Sequence, residues 1–156
     1  MGMTLYRVTG IKRLSKSRYY SLPIGKKLYF TKKDAVDCAT DFSDNLIRHN
    51  SNLKSVSFVH GNSAAYFDHY DYHIYVTNGT QTECSIYIYP VEITDNNVYR
   101  YRGADIVINN SVFEILFSGF LIAQSPAPDM ELALTIIDSI LYELELQEED
   151  RKVCGD

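Results

Sequence analysis

The sequence predicts an α+β fold: one domain spanning residues 1–156, with an antiparallel, tyrosine-rich sheet and two helices. Three observations predict it. Segments of alternating apolar and polar residues recur along the chain, separated by Gly, Asn and Pro turn signals. Two segments, about 32–48 and about 129–147, switch to helical period. Apolar residues make up 46% and charged residues 22%, which is ordinary globular usage rather than the composition of a disordered chain. The 13 tyrosines and 7 phenylalanines, with no tryptophan, suit half-buried strands.

Taken in order, residues 4–9 (TLYRVT) alternate as a strand, and the basic stretch IKRLSKS reads as a connection. RYYSL is a second strand, Pro23-Ile24-Gly25-Lys26 a turn, and KLYF the strand that completes a hairpin. Thr31 stands three residues before Asp34, a capping arrangement ahead of Ala35, Val36, Ala39, Phe42, Leu46 and Ile47 on one helical face. LKSVSFVH is an alternating strand, followed by a turn at Gly61-Asn62-Ser63.

A strand from Tyr66 to Thr77 then meets Asn78-Gly79, a hairpin signal, and ECSIYIYPVEI returns. Strand parity selects the loop. A two-residue loop pairs Ile74 with Glu83 and mismatches the apolar faces. A three-residue loop of Thr77, Asn78 and Gly79 pairs Ile74 with Thr82 and Tyr72 with Cys84, with Gly79 left-handed in a bulge. VYRYR and ADIVI continue as strands. SVFEILFSGFLIAQ has a length that suits a helix, while Ser118-Gly119 suits a break between two buried strands, the favoured reading, and SPAP is a stop. Asp129 and Glu131 open the last helix, whose apolar residues cover more than half its circumference, so it serves the core or another subunit. A flexible tail is expected from about 148.

No apolar run approaches the ~20 residues that span a bilayer, and MGMTLYRVTG has no signal-peptide core. Cys38, Cys84 and Cys154 are an odd number without metal spacing and read as reduced thiols, so a cytoplasmic protein is expected. Phosphate-binding glycine loops, GxSxG and HExxH are missing; Ser51-Asn52-Leu53-Lys54 matches SxxK without its companion motifs. Neither an enzyme nor a cofactor is therefore expected.

The stretch FDHYDYHIYV invites a metal reading, since His69, Asp71 and His73 share a strand face. Residues i and i+4 of a strand lie ~13 Å apart, however, while ligands must converge to ~2 Å from one ion. His60 is the sole further candidate ligand, and the three are read instead as the solvent side of a strand whose Tyr70, Tyr72, Ile74 and Val76 face the core. No metal site is assigned.

Charge segregation carries more information. Residues up to Lys33 include nine basic and no acidic side chains, leaving six basic and all 20 acidic ones for the remainder, or +9 against −14. Two candidate surfaces follow. Asp34, Asp37, Asp41 and Asp44, spaced three, four and three, form one helical stripe. A ladder of short carboxylates can imitate a phosphate backbone towards a basic protein, or dock the basic hairpin of a second copy. The second surface is Lys12, Arg13, Lys16, Arg18, Tyr19, Lys26 and Lys27, where cations for phosphates interleave with aromatics for bases. The expected function is binding: an inhibitor or adaptor of the kind carried by mobile elements, acting on a protein partner and self-associating, with nucleic-acid binding as the alternative.

Overall fold

The computed structural model describes residues 2–15, 18–22, 24, 28–59, 70–80, 82–94, 98–126 and 129–153. Side chains are described for these except at 13–15, 18–20, 58–59 and 145–153. The expected turns at Pro23–Lys26 and Gly61–Ser63 lie largely or wholly outside them. Contacts divide the chain into two compact units, one of Met1–Met3, Ala64–Asp68 and Val91–Asp156, the other of Thr4–Ser63 and His69–Pro90. Each joins antiparallel strands to one helix, so the α+β class holds.

In the second of these units, β1 (Met3–Ser15) is longer than its sequence suggested. The stretch expected to be a polar connection is strand because β2 (Arg18–Ser21) folds straight back on it, pairing Ile11 with Ser21, Lys12 with Tyr20 and Arg13 with Tyr19. β3 (Leu28–Tyr29) pairs with β1, not with β2 as expected: Tyr6 faces Tyr29 and Arg7 faces Leu28. Between them the Leu22 amide donates to the Gly10 carbonyl at 2.8 Å and Ile24 enters the core. Gly10 leaves room there for the Ile24 and Leu22 side chains. A Cβ on it would meet Ile24 Cδ1 at 2.7 Å and the Ser85 carbonyl oxygen at 3.2 Å.

Helix α1 (Lys32–Arg48) matches its expected bounds and starts as expected, with the Asp34 amide donating to Thr31 Oγ1 at 3.2 Å. Ala35, Ala39 and Ser43, at i, i+4 and i+8, are its buried residues, and Val36, Cys38 and Phe42 flank them against the core. Small side chains along this ridge let the helix lie close on β3, β4 (Lys54–Val59) and β5 (Tyr72–Thr77).

β5 and β6 (Thr82–Ile93) form the anticipated hairpin in a different register. Ile74 pairs with Ile86, Tyr72 with Ile88 and Val76 with Cys84, four residues further along β6 than expected. An even shift keeps the apolar faces together, and this one seats Ile86 and Ile88 in the core. The loop is held by its own side chains. Thr80 donates from its amide to Asn78 Oδ1 at 3.0 Å, Asn78 Nδ2 donates to Glu83 Oε1 at 3.0 Å, and the Gly79 amide donates to Thr77 Oγ1 at 3.1 Å. Gly79 has the expected positive φ, +97°.

The other unit is a meander. The end of β6 pairs with β7 (Tyr99–Tyr101), followed by β8 (Ala104–Asn109), β9 (Val112–Phe117) and β10 (Phe120–Pro126). The break expected at Ser118-Gly119 is present, and it recurs. Arg102-Gly103, Asn110-Ser111 and Ser118-Gly119, eight residues apart, all take positive φ. Positive φ at both central residues is what a two-residue hairpin turn compatible with strand twist needs.

α2 (Met130–Val153) is capped by Asp129, whose Oδ1 accepts from the Leu132 amide at 3.0 Å. It runs six residues beyond its expected end near 147, because Gln147–Lys152 contains no helix breaker. Ala133, Leu134, Ile137 and Leu141 are buried on it, while Ile106, Phe113 and Ile115 are buried on the meander strands. Each fully buried branched side chain contributes ~1.5–3 kcal/mol.

One polar cluster locks this packing: Asp138 Oδ1 accepts from Tyr101 Oη at 2.6 Å and from Arg102 Nη1 at 2.9 Å. The Arg102 and Asp138 side chains are only 7% and 16% exposed. Replacing Asp138 removes an ionised acceptor from both Tyr101 and Arg102 in a largely buried site. Asp138→Ala is therefore expected to cost about 3–5 kcal/mol in urea unfolding, and a loss below 1 kcal/mol would show the cluster to be energetically idle.

Candidate partner-binding surface

The ridge of Ala35, Ala39 and Ser43 decides which face of α1 meets water. At 3.6 residues per turn, Asp34, Asp37, Asp41 and Asp44 centre about 180° from it, and all four are exposed. They form a rail of carboxylates ~15 Å long on a rigid element. Lys33 Nζ pairs with Asp37 Oδ2 at 3.0 Å, with side chains 83% and 58% exposed, so solvent screening leaves the pair little effect on stability. A hydrogen bond to Asp37 and its charge raise the Lys33 pKa. Arg48, one turn from Asp44, donates to Asn45 Oδ1 at 3.3 Å, one residue nearer on the helix surface. Three like-charge neighbours at ~0.2–0.5 kcal/mol each cost the helix about 1 kcal/mol.

The basic N-terminal run is more dispersed. Arg7 is buried, at 6% exposure, and Lys33 is engaged with Asp37. Lys12 lines a cleft of about 530 Å³ at the end of α1, together with His49, Asn50, Asn78 and Glu83, so a carboxylate shares its wall. Backbone pairing does set Lys12 opposite Tyr20 and Arg13 opposite Tyr19, with Arg18 opposite Ser15. Cations and aromatic residues thus share one two-stranded ladder. Lys16, Lys26 and Lys27 lie outside the described residues.

The histidines and tyrosines of the β5–β6 hairpin take a different arrangement from the expected one. Ile74 and Val76 are buried as anticipated. Tyr70 is not with them: its ring lies 5.2 Å from His73 and 5.4 Å from Tyr87, on the opposite face. His73 does not simply face solvent. It pairs across the ladder with Tyr87 and stacks on it at 4.2 Å and 14°, with Tyr75 at 5.7 Å; Tyr87 in turn stacks on Tyr89. The signal for this cluster was in the sequence, where aromatic residues alternate on both arms of the hairpin (HIY and YIY). Among the described residues no three His, Cys, Asp or Glu side chains group as metal ligands; His60 and His69 lie outside them.

The two described thiols have structural surroundings. Cys84 is buried, which pushes its thiol up to about 11. A hydrogen bond with Cys38, then burial, push the Tyr29 hydroxyl up to about 12. Cys154 lies outside the described residues. Among these residues no helix is long and apolar enough to cross a membrane. No protein-family model, curated protein or solved structure matches the chain.

Burial lowers the His73 pKa to about 4. An unfolded histidine titrates near ~6.5, so between these values the unfolded chain binds the extra proton and stability falls as the pH is lowered. The full contribution is present above pH ~6.5 and is lost towards pH ~4. His73→Phe keeps a stacking ring without the proton. Its urea midpoint should therefore drop less than that of the wild type between pH 7 and pH 4.5. An equal drop in both would place the acid sensitivity elsewhere.

Proposed function

We propose that this chain is a non-enzymatic, cytoplasmic binding protein that works by protein–protein contact, an inhibitor or adaptor of mobile-element, phage-like type. Its working surface is the Asp34/Asp37/Asp41/Asp44 face of α1, and its partner is a basic protein, such as one whose own ligand is nucleic acid. The observation that carries this reading is the exposed carboxylate rail, held rigid by a buried ridge on the other side of the same helix. Solubility alone does not account for it, because aspartate is a poorer helix former than glutamate and the repulsion costs stability. A rigid helix keeps the carboxylates at fixed spacing, so little ordering entropy is lost on docking.

The test is capture from source-cell lysate with the wild-type chain and with Asp37→Lys/Asp41→Lys, each with and without nuclease. Both positions are exposed, so the variant should keep its circular dichroism and its melting temperature within a few degrees. The partner should be retained by the wild type after nuclease and lost by the variant. Unchanged capture by the variant would remove the acidic rail from the reading.

A second reading, nucleic-acid binding through the N-terminal ladder, draws on the pairing of Lys12 with Tyr20 and Arg13 with Tyr19. It requires binding that weakens steeply with salt, with a slope reduced in Lys12→Ala/Arg13→Ala/Lys16→Ala/Arg18→Ala. No retention of single- or double-stranded DNA or RNA at low salt would eliminate it.

A further inference from the structure

We propose that two copies of this chain associate through β10, pairing edge to edge across a two-fold axis. Among the described strands β10 pairs with β9 alone, so its outer row of backbone groups faces outward. Three consecutive large apolar residues stand on it, Phe120 at 75%, Leu121 at 52% and Ile122 at 41% exposure. An uncovered apolar edge of this kind is a template for another strand.

Charge identifies a second copy as the occupant. Residues 115–128 contain no charged side chain in a chain where 22% of residues are charged. Two other edge strands differ, since β2 carries Arg18 and β4 carries Lys54, the kind of charge that discourages strand addition, and uncharged β3 is only two residues long. In antiparallel pairing across a two-fold axis, a charge near the axis faces its own copy. An uncharged strand self-pairs without that penalty, and it offers nothing to a charged partner strand.

The same segment bounds the contact. The register slip between Leu121 and Ala123 twists the strand at Ile122, and Pro126 lacks the amide that would extend the ladder. Pairing is therefore confined to Phe120–Ser125, short of the ~1,200 Å² of a stable interface, and the dimer forms and separates with concentration.

Sedimentation velocity on the full chain, from micromolar to several hundred micromolar, tests this. The weight-average mass of the wild type should climb towards twice that of the chain. Leu121→Lys and Ile122→Lys should each stay at monomer mass with unchanged circular dichroism. Phe120→Lys, at the most exposed position, repeats the test should either lose its fold. Asp37→Lys/Asp41→Lys should associate as the wild type does. A wild type that stays monomeric throughout, lysine variants that associate equally well, or association lost only in the aspartate variant would each overturn the proposal.

Discussion

The three-residue ridge of Ala35, Ala39 and Ser43 sets the orientation of α1, and most of what can be said about function depends on that orientation. Methyl- and hydroxymethyl-sized side chains at i, i+4 and i+8 let the helix backbone approach the sheet, while Val36, Cys38 and Phe42 fill the space on either side. A larger residue on the ridge would lift or rotate the helix. With the ridge seated, the aspartates can only point outward. The ~1 kcal/mol of repulsion among them is smaller than the ~1.5–3 kcal/mol from burying one large apolar side chain, so packing wins and the acidic face is held in place.

The meander unit is governed by repetition instead. Its two-residue turns fall eight residues apart, which fixes strand length and brings alternate side chains to the α2 side each time. Arg102 serves twice, as a positive-φ turn residue and as the buried partner of Asp138 on α2. The aspartate thereby ties the helix to the first of those turns. At the far end of the meander β10 pairs, among the described strands, with β9 alone, and it exposes uncharged apolar residues.

Local signals were legible in the sequence. The Thr31 cap, the bounds of α1, the Ser118-Gly119 turn and the positive φ of Gly79 each depend on a few neighbouring residues. What escaped depends on partners further away. Parity cannot separate two registers that differ by four residues, so the β5–β6 pairing was decided by Asn78 and Thr80 bonding within the loop and by core burial of Ile86 and Ile88. The basic stretch after Gly10 looked like a connection because its strand character comes from pairing with β2. His73 had the expected face but not the expected surroundings, since only cross-strand pairing brings Tyr87 over its ring. The acidic rail was legible as a helical stripe. The dispersal of the basic run, with Arg7 buried and Lys12 beside a cleft shared with Glu83, was not.

Two surfaces of opposite sign therefore compete for the central role, and they differ in rigidity. The acidic one lies on a single helix with every carboxylate exposed, whereas the described part of the basic one is divided among a buried arginine, a cleft and a short strand pair. Zero-length carbodiimide cross-linking of the captured complex, mapped by mass spectrometry, separates them directly because it joins carboxylates to amines in contact. Links from Asp34, Asp37, Asp41 or Asp44 to lysines of the partner are expected. Links confined to Lys12 or other N-terminal lysines, with the four aspartates unmodified by the partner, would contradict it.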